Sequence, residues 1–176
     1  MRDIFGIFRN KKKGFEENLN EMYQEIANHI DDMIPIEWGQ VYTIAYIGEE
    51  GGQVVFFYTK PESDELNYYT NIPKDYNVSR EIFRDLWSNL YDEFKKLREL
   101  FRESNQELWT SCEFDFNNEG KLNVSFDYID WKNSEFGPMA LETYYRFKKF
   151  GIVPEFEDER EEIKEIDQFI KEQEKE

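Results

Sequence analysis

Few residues in this sequence have side chains suited to chemistry, and they do not cluster. One histidine, His29, and one cysteine, Cys112, stand in a chain of 176 residues. A general base or a zinc ligand needs partners at suitable spacing. None accompanies His29, which falls between Ile26 and Ile30 beside an apolar helical stripe, so a packing or helix-surface role is expected. Cys112 sits on the apolar side of a strand, next to Glu113 and aromatic residues. A reactive thiol wants an electropositive, accessible setting, so core packing is the better reading. Gly51-Gly52 lacks the Lys-Ser that completes a phosphate loop. The carboxylates Glu113, Asp115, Asp127 and Asp130 could gather on one sheet face, bind Mg²⁺ or Ca²⁺, or divide into a general acid and base. No Asp-x-Asp-x-Asp-Gly loop makes a calcium site specific. A solvated polar face, or one that pairs with a basic partner, is the plainer reading. No catalytic residue, cofactor or metal site is expected.

A dense mixture of acids and aromatics remains. It is concentrated in Ser63 to Pro73, with Asp64, Glu65, Tyr68 and Tyr69, and in Phe126 to Trp131, with Asp127, Asp130 and Trp131. Tyr and Trp bring large contact area at little entropic cost and are enriched at protein interfaces. Carboxylates around them select Lys- or Arg-bearing partners. Asp64, Glu65, Tyr68, Tyr69, Glu113, Asp115, Asp127, Asp130 and Trp131 therefore form the expected partner-binding set. At a strand period of two, half the rings must point inward, and Tyr128 and one of Tyr68 and Tyr69 are the natural choices for the core.

The elements that must position these residues are legible from periodicity. From Phe15, the residues Leu19, Met22, Tyr23, Ile26, Ile30 and Met33 recur at helical spacing until Pro35. Val41 to Ile47 and Gln53 to Thr59 read as strands joined by a glycine-rich hairpin loop, with a third strand around Leu66 to Thr70. Ser79 is a good N-cap for a long helix, since no proline or glycine interrupts Ser79 to Asn105. Two alternating strands follow. Cys112, Phe114, Phe116, Leu122, Val124 and Phe126 face one way, and Glu113, Asp115 and Asp127 are expected to face outward. A helix near Met139 to Phe150 stops at Gly151, and Ile163, Ile166 and Ile170 mark a terminal helix in an acidic tail. The fold class is α+β: an antiparallel sheet of about five strands, in α-βββ-α-ββ-α-α order, covered on one face by helices. Residues 1–13 read as a flexible basic extension, with five basic side chains and one acidic, and 14–176 as one domain.

The net charge of −17, from 39 carboxylates against 22 Lys and Arg, opposes binding to phosphate backbones and anionic membranes. It favours a basic protein partner. A lone cysteine implies no internal disulfide, and neither a membrane span nor a signal peptide is evident, so the cytoplasm is the default location. Self-association is left open.

Pro35-Ile36-Glu37-Trp38, Tyr58-Thr59-Lys60-Pro61, the Asp64–Pro73 stretch, Trp109 to Phe116 and Val124 to Trp131 together resemble the YezG/EsaG antitoxin family. The likeness runs from about Phe15 to about Ile170; residues 1–13 depart from the family pattern. It implies an immunity protein, without catalysis, that binds the C-terminal DNA-endonuclease domain of a cognate toxin exported by a type VII secretion system. It implies no agreed set of binding residues. A DNA nuclease must present a basic groove to phosphate, which suits an acidic binder. Two other readings stand beside this one: a non-inhibitory chaperone or adaptor for a secretion substrate, and a carboxylate-based enzyme acting on a small molecule.

Overall fold

The computed structural model describes residues 13–174. The element order is α1 (Phe15–Met33), β1 (Gln40–Ile47), β2 (Gly52–Tyr58), β3 (Asn67–Tyr68), α2 (Ile72–Asp75), α3 (Arg80–Glu103), β4 (Ser111–Asn117), β5 (Leu122–Asp127), α4 (Pro138–Phe150) and α5 (Glu157–Gln173). The expected basic extension falls almost wholly on residues 1–12, outside those described.

Local chemistry sets the boundaries. The Ser79 hydroxyl accepts a hydrogen bond from the Ile82 amide at the start of α3, satisfying one of the free amides of the first turn. α4 ends at Gly151, whose φ of 70° closes the last turn in the left-handed conformation glycine tolerates. In the β4–β5 turn, Asn117 Oδ1 accepts from the Glu119 and Lys121 amides while Gly120 takes a φ of 81°.

The five strands lie in the order β3-β2-β1-β4-β5, every neighbouring pair antiparallel. The α+β class and the strand number agree with the expectation, and the element order differs from it by the short α2. The third strand is shorter than its sequence suggests. After Asn67–Tyr68 the chain turns through a 3-10 segment, Tyr69–Asn71, directly into α2.

Helices cover both faces of the sheet, which corrects the one-face arrangement. On the first face α1 and α3 pack over Val41, Ala45, Ile47, Val54, Phe56, Cys112, Phe114 and Phe116. On the second face α4 packs over Ile44, Tyr46, Val55 and Phe57 through Leu141 and Tyr145, and α5 lies against α4 through Ile163 and Ile166. The cause is in the two central strands. Tyr42-Thr43-Ile44-Ala45-Tyr46-Ile47 and Val54-Val55-Phe56-Phe57-Tyr58 are apolar at nearly every position, so both sides of the sheet must be shielded from water.

The first-face core is dry and aromatic. Trp109, Phe94 and Phe114 are fully buried. Phe94 meets Phe114 edge-on at 6.1 Å, and Phe101 meets Phe126 at 4.8 Å. Such pairs add ~0.5–1.5 kcal/mol to the burial of each ring.

Candidate interaction surface

The expected binding residues occupy three places. Asp64, Glu65, Tyr68 and Tyr69 belong to the β3 edge, Glu113 and Asp115 to β4, and Asp127, Asp130 and Trp131 to the end of β5 and the turn after it. Four strand spacings of ~4.8 Å separate β3 from β5, about 19 Å, so the two acid-aromatic stretches do not merge into one patch.

At the β3 edge the acids and rings part company. Asp64 and Glu65 are exposed. Tyr68 stacks on Phe57 at 5.1 Å, and its hydroxyl donates to Glu142 Oε2 of α4 at 2.9 Å. Burial, reinforced by the Glu142 charge, pushes the Tyr68 phenol well above its ordinary pKa. Tyr69 packs on Phe56 at 5.1 Å and lies parallel to Phe83, with burial raising its pKa to about 12. Both tyrosines therefore tie the edge to the core, whereas Tyr128, the ring expected inside, is 44% exposed.

Asp115 does not face solvent as expected. It is buried beneath α4, where Lys149 Nζ sits 2.6 Å from Asp115 Oδ2 and 2.6 Å from Glu113 Oε2. Glu113 and Asp115 are two residues apart on one strand and so share a face, and one ammonium serves both. Burial holds the Asp115 carboxyl above its usual pKa, although Lys149 pulls the other way. Burial also acts to depress the Lys149 ammonium, but hydrogen bonds and charge from Asp115 and Glu113 outweigh it and leave its pKa raised. The register that turned these acids away from the first core is as read; the second helical layer is what encloses them.

Asp127 and Asp130 remain exposed while shaping the turn between them. Asp127 Oδ1 accepts from the Tyr128 and Ile129 amides at 2.6 and 2.9 Å, and Asp130 caps the 3-10 turn Trp131–Asn133. Trp131 is half-buried, edge-on to Tyr46 at 6.0 Å and parallel to Phe169 at 6.0 Å. Glu113, Asp127 and Trp131 line one cleft of about 600 Å³ under α4 and α5, together with Tyr144, Tyr145 and Asp167. Two of its carboxylates already have side-chain partners: Glu113 has Lys149, and Asp167 accepts from the Tyr144 hydroxyl at 2.8 Å and pairs with Lys148. Lys149 and Asp167 were missed in the sequence reading. The signal available for Lys149 was its position on a helix whose apolar residues, Leu141, Tyr145 and Phe150, needed a sheet face that Glu113 and Asp115 also occupy.

The groups capable of reaction are occupied or inaccessible. His29 Nε2 donates to the Leu86 carbonyl at 2.9 Å, and Nδ1 lies 2.9 Å from Glu93 Oε1. Both partners are acceptors, so the ring is best served by two protons, and the hydrogen bond it donates to Glu93 raises its pKa against the opposing effect of burial. The Cys112 thiol is fully buried, which pushes its pKa well up. Among the described residues no group of three or more His, Cys, Asp or Glu is arranged to hold a metal ion, and no helix is long and apolar enough to cross a membrane.

Comparison with known proteins adds what the geometry alone does not carry. The family model described as "Immunity protein YezG-like" matches residues 19–164. Type VII secretion system protein EsaG of Staphylococcus aureus (strain NCTC 8325 / PS 47) is 62% identical over 158 residues, which is 90% of this chain and 97% of the relative. Immunity protein YezG of Bacillus spizizenii is 34% identical over 77% of this chain and 84% of its own length. Immunity protein YezG of Bacillus subtilis (strain 168) is 32% identical over 81% and 95%. With the match spanning α1 to α5, the chain belongs to the YezG-like immunity protein family.

Proposed function

We infer that this chain is an antitoxin that binds and neutralises the DNA-endonuclease domain at the C-terminus of a type VII-secreted toxin, acting in the cytoplasm of the producing cell and catalysing nothing itself. The observation that carries this reading is the family membership, which spans most of the chain. The net charge of −17 fits it physically: a nuclease groove built for phosphate is basic, and an acidic protein is drawn to it. Asp64, Glu65, Asp127 and Asp130 are exposed and steer the encounter. Tyr68, Tyr69, Glu113, Asp115 and Trp131 act from behind that surface, by fixing the edges and turns on which the exposed acids stand.

The test is a DNA-cleavage assay with the C-terminal nuclease domain of a type VII-secreted toxin. A stoichiometric amount of the chain is expected to suppress cleavage. Binding that left cleavage intact would instead make it an adaptor, and absence of binding would remove the toxin as its partner.

A further inference from the structure

A groove of about 1310 Å³ runs between the C-terminal half of α1 and the β4–β5 turn, on the side of the molecule away from α4 and α5. Two helices cannot span the full width of five strands, so the outer end of β5 is left uncovered and Leu122 remains 39% exposed there. Pro35 ends α1, and the returning chain brings Trp38 across the trough, where its ring stands edge-on to Phe116 at 5.1 Å and its Nε1 donates to Asp31 Oδ1 at 2.7 Å. The floor is therefore aromatic. The rim carries Asp31, Asp32 and Glu37, all exposed, and no Lys or Arg lines the groove. Among the described residues none of these three carboxylates is ion-paired.

The end of α1 is also electrostatically out of keeping with the other long helices. α3 carries Arg102 in its last turn, α4 carries Lys148 and Lys149, and α5 carries Lys171. Each places positive charge against the negative end of the helix dipole, as stability favours. α1 has no basic residue in its last turn and places Asp31 and Asp32 there. Two carboxylates, the unpaired carbonyls of the helix end and Glu37 thus add their negative potential in one place, at a cost to the isolated protein. Departures from local rules of this kind concentrate at functional positions.

Building on the antitoxin reading above, we propose that this groove is the anchoring site for the toxin domain. It receives a basic segment whose Arg or Lys heads meet Asp31, Asp32 and Glu37, while an apolar side chain of the same segment lies on Trp38, Phe116 and Leu122. The charge of the rim and the lack of any Lys or Arg along it select a basic occupant. The apolar floor beside that rim gives such a segment a desolvated anchor, the arrangement in which interface energy concentrates.

The test uses the full chain and the same C-terminal toxin domain. Asp32→Lys/Glu37→Lys is compared with Glu161→Lys/Glu165→Lys, which makes the same change in net charge on exposed positions of α5. The groove variant is expected to bind at least about tenfold more weakly than the unmodified chain, and the α5 variant within about threefold, because loss of a contact acts through dissociation while a remote charge acts only through the long-range field. Asp32→Lys also removes a repulsion at the helix end, so the groove variant is expected to melt no lower than the unmodified chain. Lost binding therefore cannot be blamed on lost fold. Equal weakening by the two variants, or full binding by the groove variant, overturns the groove and leaves the antitoxin reading standing. If the unmodified chain fails to bind the toxin domain, both readings fall together.

Discussion

The two faces of the sheet are built from different materials. Under α1 and α3 the contacts are aromatic and aliphatic, with Trp109, Phe94, Phe114 and Leu90 fully excluded from water. His29 bridges the two helices at the outside of that layer. Under α4 the apolar core is small, and polar links surround it. Lys149 joins Glu113 and Asp115, Tyr68 reaches Glu142, and the Tyr46 hydroxyl donates to the Leu141 carbonyl at 3.3 Å. The first face supplies cohesion chiefly through packing, with few polar links such as that from Trp87 Nε1 to the Val54 carbonyl at 2.9 Å. The second supplies orientation, because each polar link is satisfied in only one arrangement of α4 on the sheet. That division places the acids flanking the β5 edge and those at the end of α1 on separate supports.

Substitutions can break the contrast in order of expected effect. Phe94→Ala removes a fully buried ring from the dry face and should destabilise by ~3–5 kcal/mol, read from denaturant unfolding. Lys149→Met leaves two neighbouring carboxylates enclosed without their cation. The expected loss is about 2–3 kcal/mol, at or below the ~3–5 of a fully buried pair because Glu113 keeps some contact with water. Replacing Asp115 by Asn in the Lys149→Met background should recover part of that loss, since the repulsion between the carboxylates goes with it. No recovery would mean that the polar links of the second face are incidental to packing.

The smallest expected effect is the pH response of the first face. His29 has a raised pKa in the folded protein, chiefly through its hydrogen bond with Glu93. Its stabilisation is therefore complete below ~6.5, the ordinary value for an unfolded chain, and fades as pH rises through the higher folded value. Unfolding free energies measured across that range should show the unmodified chain gaining about 1 kcal/mol over His29→Leu on the acid side, the scale of a charge-assisted hydrogen bond partly open to water. An advantage that grew with rising pH would show that the ring is neutral when folded.

Much of the fold was legible because its elements obey one period each. Leu19 to Met33 and Ile82 to Phe101 carry apolar stripes at helical spacing, and Ser79 and Gly151 mark ends by their own chemistry. The second helical layer was not read, although Ile44, Tyr46, Val55 and Phe57 announced it. An unbroken apolar strand is consistent with either a strong single core or two cores, and only the position of α4 decides. The same omission sent Asp115 outward. It also hid the packing of Tyr68 on Phe57 and of Trp131 on Tyr46 and Phe169, because an aromatic ring beside acids reads alike on a surface and on a packed edge. The end of α1 escaped notice for a different reason. Asp31 and Asp32 are unremarkable as composition and gain meaning only once the helix end, Trp38 and the β4–β5 turn are seen around one groove.

On the proposed reading, negative charge on this chain holds a basic toxin domain. The most direct measurement is the dissociation constant of the chain with that domain in low and high salt, made by calorimetry on the unmodified proteins. Exposed charges are screened over ~10 Å at 0.1 M salt and ~3 Å at 1 M, so affinity should fall by about tenfold or more between 0.1 and 0.5 M. An affinity that stayed constant over that range would contradict the claim, and would place the binding energy in apolar contact alone.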